Sequence, residues 1–130
     1  MNPTEITKVF YALWGSGKLE ELLERFVDED SVLENPLPDL IPFGGSFVGQ
    51  QGFAAYAQAI PAAIAIERFE IDEILAEGDR VVVLGRETSR VLDTGKRYTM
   101  SWVHVLTLRN GRVQRMREYN DTAAMAAAFA

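Results

Sequence analysis

The hydrophobic positions follow two different periods along the chain. Up to residue 26 they recur every three or four residues, which predicts two helices separated at Gly15-Ser16-Gly17. The helical spacing returns over 51–60 and stops near Pro61. From residue 64 apolar and polar residues alternate, which predicts four long strands over 66–76, 80–92, 97–108 and 112–120.

The segment between the second and third helices has a different composition. Residues 31–35 read as a short strand, and residues 36–52 are rich in proline and glycine. We expect a long loop that exposes several large apolar residues, Leu37, Leu40, Ile41, Phe43 and Phe47. Such a loop is typical of structural cover or of a lid over a site.

The order of elements indicates the fold class. Helices followed by a meander of long strands are typical of an α+β protein, and 130 residues suffice for one domain, residues 1–130. One face of the sheet needs a cover, which only the three N-terminal helices supply. We therefore expect a cone-shaped barrel, a curved antiparallel sheet packed on three helices around an interior. Asp121 is expected to cap a short alanine-rich helix at the end.

Strand alternation places unusual residues inside this cone. In the third long strand, one face has larger and more apolar side chains than the other, so we expect that face to point inward. It includes Met100, Trp102 and His104. The last strand then directs Met116, Glu118 and Asn120 inward, and the second long strand directs Glu87 inward. Two carboxyls and the single histidine thus enter an apolar interior from three consecutive strands, where we expect them within reach of one another.

Acid–base chemistry is the function that this grouping favours. Burial raises the pKa of a carboxyl and pairing with a cation lowers it, so such a cluster can titrate near neutral pH, where proton transfer is efficient. Two other interpretations stay open. His104 can be a satisfied core residue without a chemical role, and Glu87 can form an ion pair with an arginine at the rim.

Composition excludes several other function classes. A net charge of −6 and a pI near 4.8 argue against nucleic acid and anionic membrane surfaces as partners. With no cysteine and one histidine, the chain lacks the residues for disulfides, thiolate catalysis and multi-histidine metal sites. We therefore expect no metal and no cofactor. The absence of a signal peptide pattern and of a long apolar run predicts a cytoplasmic protein.

Three stretches of the chain carry a likeness to a known family. They are FYALWGSGKLEELLERFVDEDSVLENP, FVGQQGFAAYAQAI and YTMSWVHVLTLRNGRVQRMREYNDTAAM, which together span nearly the whole length. They resemble the nuclear transport factor 2-like superfamily, and within it the SnoaL-like polyketide cyclases, ketosteroid isomerases and limonene-1,2-epoxide hydrolases. The resemblance implies a homodimer through the outer sheet face, where Val103, Val105 and Tyr119 offer apolar contact.

The resemblance assigns roles to single residues. Polyketide cyclases of this type have a histidine and, about fourteen positions on, an acid, which match His104 and Glu118. The acid of the epoxide hydrolases' Arg-x-Asp tripeptide corresponds to Glu87, whereas its arginine is replaced by Gly85. The general base of ketosteroid isomerases corresponds to Asn35, which cannot act as a base, and their donor tyrosine corresponds to Tyr11.

These observations predict a cofactor-independent enzyme that acts on a small hydrophobic molecule, as an isomerase, cyclase, epoxide hydrolase or dehydratase. Glu118, His104 and Glu87 are the predicted catalytic residues. The predicted substrate contacts are Tyr11, Trp14, Asn35, Met100, Trp102, Met116 and Asn120. The alternative is a module of the same fold that binds a small molecule, or dimerises, without catalysis.

Overall fold

A computed structural model describes residues Met1–Ala130. Four helices and six strands form one α+β domain, which confirms the predicted fold class. In chain order they are α1 (Pro3–Gly15), α2 (Leu19–Phe26), β1 (Val27–Asn35), β2 (Gly45–Val48), α3 (Gly49–Ala63), β3 (Ile64–Glu77), β4 (Arg80–Val91), β5 (Arg97–Arg109), β6 (Arg112–Tyr119) and α4 (Thr122–Phe129).

The six strands form a curved, open sheet in the order β2-β1-β6-β5-β4-β3. The expectation of a wholly antiparallel sheet was wrong at one pair, because β1 lies parallel to β6. The parallel register brings Glu34 opposite Arg117 on the outer face, where Glu34 forms ion pairs with Arg115 and Arg117. The sheet does not close into a barrel, since β2 and β3 remain as its two edges.

The segment predicted as a long loop is shorter and less exposed than expected. Residues 45–48 form strand β2, which pairs with β1, and α3 begins directly at Gly49. Ile41 and Phe43 are buried in the core, whereas Leu40 is exposed. Leu37 and Phe47 also pack against the core, and the Phe43 ring packs against Phe129 near the C-terminus, so most of the segment's apolar side chains belong to the core. α3 also continues through Pro61 to Ala63, because a proline in the last turn removes only one hydrogen-bond donor.

The predicted inward faces of the strands are confirmed by burial. Alternate residues of β5, from Tyr98 to Leu108, are buried against the helices. Helices α1 and α3 close the inner side of the sheet through Phe10, Leu13 and Phe53.

None of the four helices is both long and apolar enough to cross a membrane. Helix α4 also packs against β5 and β4, which corrects the expectation that only the three N-terminal helices cover the sheet. The inner face of the sheet and helices α1, α3 and α4 enclose the site.

Candidate functional site

A cavity of about 570 Å³ lies between the inner face of the sheet and helices α1, α3 and α4, with Phe43 from the segment before β2 also lining it. Thirteen of its nineteen lining residues are hydrophobic, and none is lysine or arginine, so the cavity suits an apolar molecule without negative charge. Nine of the ten predicted site residues line it: Tyr11, Trp14, Asn35, Glu87, Met100, His104, Met116, Glu118 and Asn120.

Trp102 is the exception, and its assignment as a substrate contact is corrected. Its side chain points inward as expected, but it is 1% exposed and does not line the cavity. The indole ring stacks on the His104 ring at 4.1 Å and on the Phe69 ring at 4.9 Å between centroids. Its neighbour on β4 is Gly85, which leaves the room that the ring needs. Trp102 therefore packs against the His104 ring and holds it in position without lining the cavity.

The Glu118 carboxyl is held by three hydrogen-bond partners. The Tyr56 hydroxyl donates to its Oε2 at 2.7 Å, and the Asn35 amide donates to Oε1 at 3.4 Å. His104 Nε2 lies 3.3 Å from Oε1. Burial acts to raise the pKa of Glu118, but the charge and hydrogen bond of His104 and the hydrogen bond of Tyr56 outweigh it and lower the pKa. Glu118 is therefore a carboxylate at neutral pH.

His104 connects Glu118 to a tyrosine on the opposite wall. The Tyr11 hydroxyl lies 2.6 Å from His104 Nδ1, on the other side of the ring from Glu118. If neutral His104 donates from Nε2 to the carboxylate, its Nδ1 accepts the Tyr11 proton; protonated His104 donates from both nitrogens. Burial, followed by the Glu118 charge, raises the pKa of Tyr11 well above its usual value. We call Tyr11, His104 and Glu118 the relay.

Glu87 does not join this relay, which corrects the expectation of one three-residue cluster. Its Oε2 accepts hydrogen bonds from Ser89 and Tyr98, both at 2.8 Å. No arginine pairs with it either, because Arg86 turns to the outer face and binds Asp72 and Glu70. Burial raises the pKa of Glu87 despite these two hydrogen bonds. The cavity thus contains two carboxyls with opposite pKa shifts.

Replacing Glu87 by glutamine is expected to stabilise the protein progressively, relative to the wild type, as the pH rises above 4.5, the ordinary glutamate pKa. The unfolded chain ionises Glu87 at a lower pH than the folded chain, so the wild type loses stability until the pH passes the raised folded-state pKa. Denaturant unfolding across this pH range measures the difference. A difference that stays constant with pH would contradict the raised pKa.

Two tyrosines of the site were not predicted. Tyr56 holds Glu118 and Tyr98 holds Glu87. The signal for both was present: Tyr56 lies on the same helical face as Phe53 and Ile60, and Tyr98 has the same strand parity as Met100. Asn120, which was predicted, donates to the Asn35 Oδ1 at 3.1 Å and so fixes the Asn35 amide.

The fold and this cavity define a class of α+β proteins in which helices cover the inner face of a curved sheet and leave a cavity there. The sequence model of the SnoaL-like domain family matches residues 8–116. The chain therefore belongs to the SnoaL-like domain family. No curated protein sequence matches the chain.

Solved structures agree with this assignment. An NTF2-like protein from Burkholderia xenovorans LB400 is 34% identical, with a TM-score of 0.90 over 98% of this chain and 95% of that one. TerC co-crystallised with polyporic acid is 27% identical, with a TM-score of 0.81 over 98% and 97%. A Catenulispora acidiphila DSM 44928 protein with a ketosteroid isomerase-like fold, in complex with trimethylamine, is 16% identical, with a TM-score of 0.77 over 95% and 91%. At that identity the likeness concerns the fold alone.

Proposed function

We propose that the protein is an acid–base enzyme that acts on a small hydrophobic molecule bound in the cavity. The observation that carries this proposal is the relay, in which Tyr11, His104 and Glu118 join a buried carboxylate to a cavity-lining hydroxyl. A carboxylate, an imidazole and a hydroxyl in a hydrogen-bonded row are the groups that acid–base catalysis uses.

The three residues have different roles in this proposal. The Glu118 oxygens already have protein partners, so Glu118 orients His104 rather than attacking substrate. Tyr11 keeps its proton because its pKa is raised, and it donates to a substrate oxygen. Protonated His104, which donates from Nδ1 to the Tyr11 oxygen, then returns a proton to Tyr11.

A related protein provides evidence for the proposal that the ligand is a small organic molecule. TerC, which shares 27% of its residues with this chain, was co-crystallised with polyporic acid. A Tyr11 proton delivered to a substrate oxygen would assist isomerisation, ring closure, dehydration or epoxide opening. The proposal therefore commits to general acid catalysis at an oxygen of an uncharged hydrophobic substrate.

The test is turnover of a panel of hydrophobic cyclic ketones, enones and epoxides by the wild type and by Glu118→Gln. We expect at least one compound to be converted with a bell-shaped pH dependence of kcat/KM that Glu118→Gln flattens. Met116→Leu, which keeps the apolar lining, is the matched control. Conversion with the same pH profile in Glu118→Gln would contradict the proposal.

One observation favours a second function, a binding module without catalysis. Both nitrogens of His104 and both oxygens of Glu118 already have partners within the protein. A structural hydrogen-bond network would show the same saturation. This alternative predicts saturable binding of hydrophobic ligands without turnover, and the same affinity in Glu118→Gln.

We also propose a homodimer formed through the outer face of the sheet. Val103 and Val105 lie half-buried on that face of β5, beside Tyr119, which is 48% exposed. Val105→Asp is expected to weaken the dimer at least about tenfold, since it places a charge in an apolar contact. Sedimentation velocity measures this, with Ala55→Asp on the exposed side of α3 as the control. A monomeric wild type would contradict the proposal.

The cytoplasmic location that the sequence predicts stays a prediction.

A further inference from the structure

Glu87 has a free oxygen inside the cavity. Ser89 and Tyr98 both donate to its Oε2, and Oε1 accepts no hydrogen bond from the protein. Trp102 Nε1 is the one buried side-chain nitrogen or oxygen without a partner, so Glu87 Oε1 is reached from the open space of the cavity that Glu87 lines. Two hydroxyls therefore fix the carboxyl in place while its second oxygen stays available.

The backbone of Glu87 lies at a different level of the sheet from that of His104 and Glu118, although the charges of those two side chains still act on the pKa of Glu87. Glu87 pairs with Met100 on β5, whereas His104 pairs with Val83 and Glu118. Four residues of β5 separate the two levels, which corresponds to about 13 Å along the strand at about 3.3 Å per residue. The cavity wall therefore carries polar groups at two levels.

The β3 side of the wall between the two levels is apolar. Ile71 lines it opposite Gly85, and Met100 and Phe69 line the cavity at the level of Glu87. On the β6 side, the Asn120 amide already donates to the Asn35 Oδ1. A ligand that contacts both polar levels must therefore have a hydrophobic middle. No lysine or arginine lines the cavity to neutralise a carboxylate or phosphate, and two glutamates would repel one.

We propose that Glu87 is a second polar subsite, which binds the far hydroxyl or carbonyl oxygen of an uncharged ligand whose other oxygen function contacts Tyr11. This inference rests on the proposed function, because it extends the same cavity, and it narrows the substrate class to hydrophobic molecules with an oxygen function at each end. Glu87 is here a binding residue and not a catalytic one.

Hydrogen-bond geometry explains why the subsite can take either kind of oxygen. Because both protein donors occupy Oε2, a proton on the neutral carboxyl resides on Oε1 and donates to a ligand carbonyl. The ionised carboxyl instead accepts a ligand hydroxyl through the same atom. Burial raises the pKa of Glu87, which favours the neutral, donating form.

The experiment compares two probes of the same shape, para,para′-biphenol with two hydroxyls and para-phenylphenol with one. Calorimetry measures the dissociation constant of each in the wild type, Glu87→Met and Glu87→Gln. Methionine matches the length of glutamate without its hydrogen bonds, and glutamine keeps a polar atom. Thermal melts verify that each variant is folded.

We expect the wild type to bind the two-hydroxyl probe about tenfold more tightly than the one-hydroxyl probe, as one further hydrogen bond allows. Glu87→Met should reduce this ratio to about twofold, the statistical advantage of two equivalent ends, and Glu87→Gln should retain most of it. An equal ratio in the wild type and Glu87→Met would overturn the subsite, as would failure of both probes to bind.

The same series separates this inference from the proposed function. Tyr11→Phe removes the hydroxyl at the other end and should also reduce the ratio of the two dissociation constants. If Tyr11→Phe reduces it and Glu87→Met does not, the subsite is wrong while the proposed function stands. If the ratio responds to Glu87 and the turnover panel gives no conversion, the cavity binds such molecules without the proposed catalysis.

Discussion

His104→Gln is expected to lower kcat by about 10²–10⁴-fold with little change in KM, the range that loss of a general acid–base group causes. Glutamine can still donate a hydrogen bond towards Glu118, but it cannot gain and lose a proton. Tyr11 then keeps its place in the cavity without a partner that returns its proton. Steady-state kinetics on a substrate from the turnover panel give both parameters.

The control for this substitution is Met100→Leu, which changes the cavity wall without touching the relay. It should change kcat less than about tenfold, because one apolar contact is replaced by another of similar volume. A His104→Gln variant that retains wild-type kcat would mean that the relay does not transfer protons, and the binding-module function would then take its place.

Gly85→Ala is expected to destabilise the protein by about 3 kcal/mol, at the upper end of the cost of one added methyl group in a packed interior. A Cβ at this position would lie 2.1 Å from Trp102 Cζ2 and 2.3 Å from the carbonyl oxygen of Glu70. Neither neighbour can give way freely, since Glu70 O belongs to the β3 backbone and Trp102 is stacked on His104.

Thermal unfolding measures this change, and a loss of about 3 kcal/mol corresponds to a Tm lower by about 10 °C. Gly15→Ala is the matched control, because a Cβ there has no atom within 4 Å and the residue ends helix α1. That variant should be as stable as the wild type or slightly more so. Equal melting temperatures for the two variants would contradict the packing of Trp102 against Gly85.

Periodicity predicted the parts of the fold that depend on local pattern. Alternation along β5 placed His104 inward and alternation along β6 placed Glu118 inward, and both are buried as expected. These two residues are also direct partners in the register of β5 and β6. The Asn110-Gly111 turn begins this pairing, but a β-bulge between Thr107 and Leu108 then shifts the register by one residue. Strand parity therefore predicted that both side chains point inward, whereas their direct pairing depends on a bulge that the turn sequence does not indicate.

Periodicity does not predict contacts between segments that are distant in the sequence. The parallel pairing of β1 with β6 joins residues more than eighty positions apart, and no local pattern indicates it. The position of Glu87 depends on the register of β4 against β5, which places it opposite Met100 rather than His104. Trp102 has inward parity like its neighbours, but only its stacking shows that it lies outside the cavity.

The measurement that tests the central claim most directly is the titration of the Glu118 carboxyl, followed by carbon-13 NMR in the wild type and in His104→Gln. The relay predicts that the pKa of Glu118 lies below the ordinary 4.5 in the wild type, where His104 offsets the effect of burial. It predicts that the pKa rises in His104→Gln, because the opposing charge is gone and burial remains. A Glu118 titration that is the same in both proteins would show that the two side chains are not coupled, and would contradict the account.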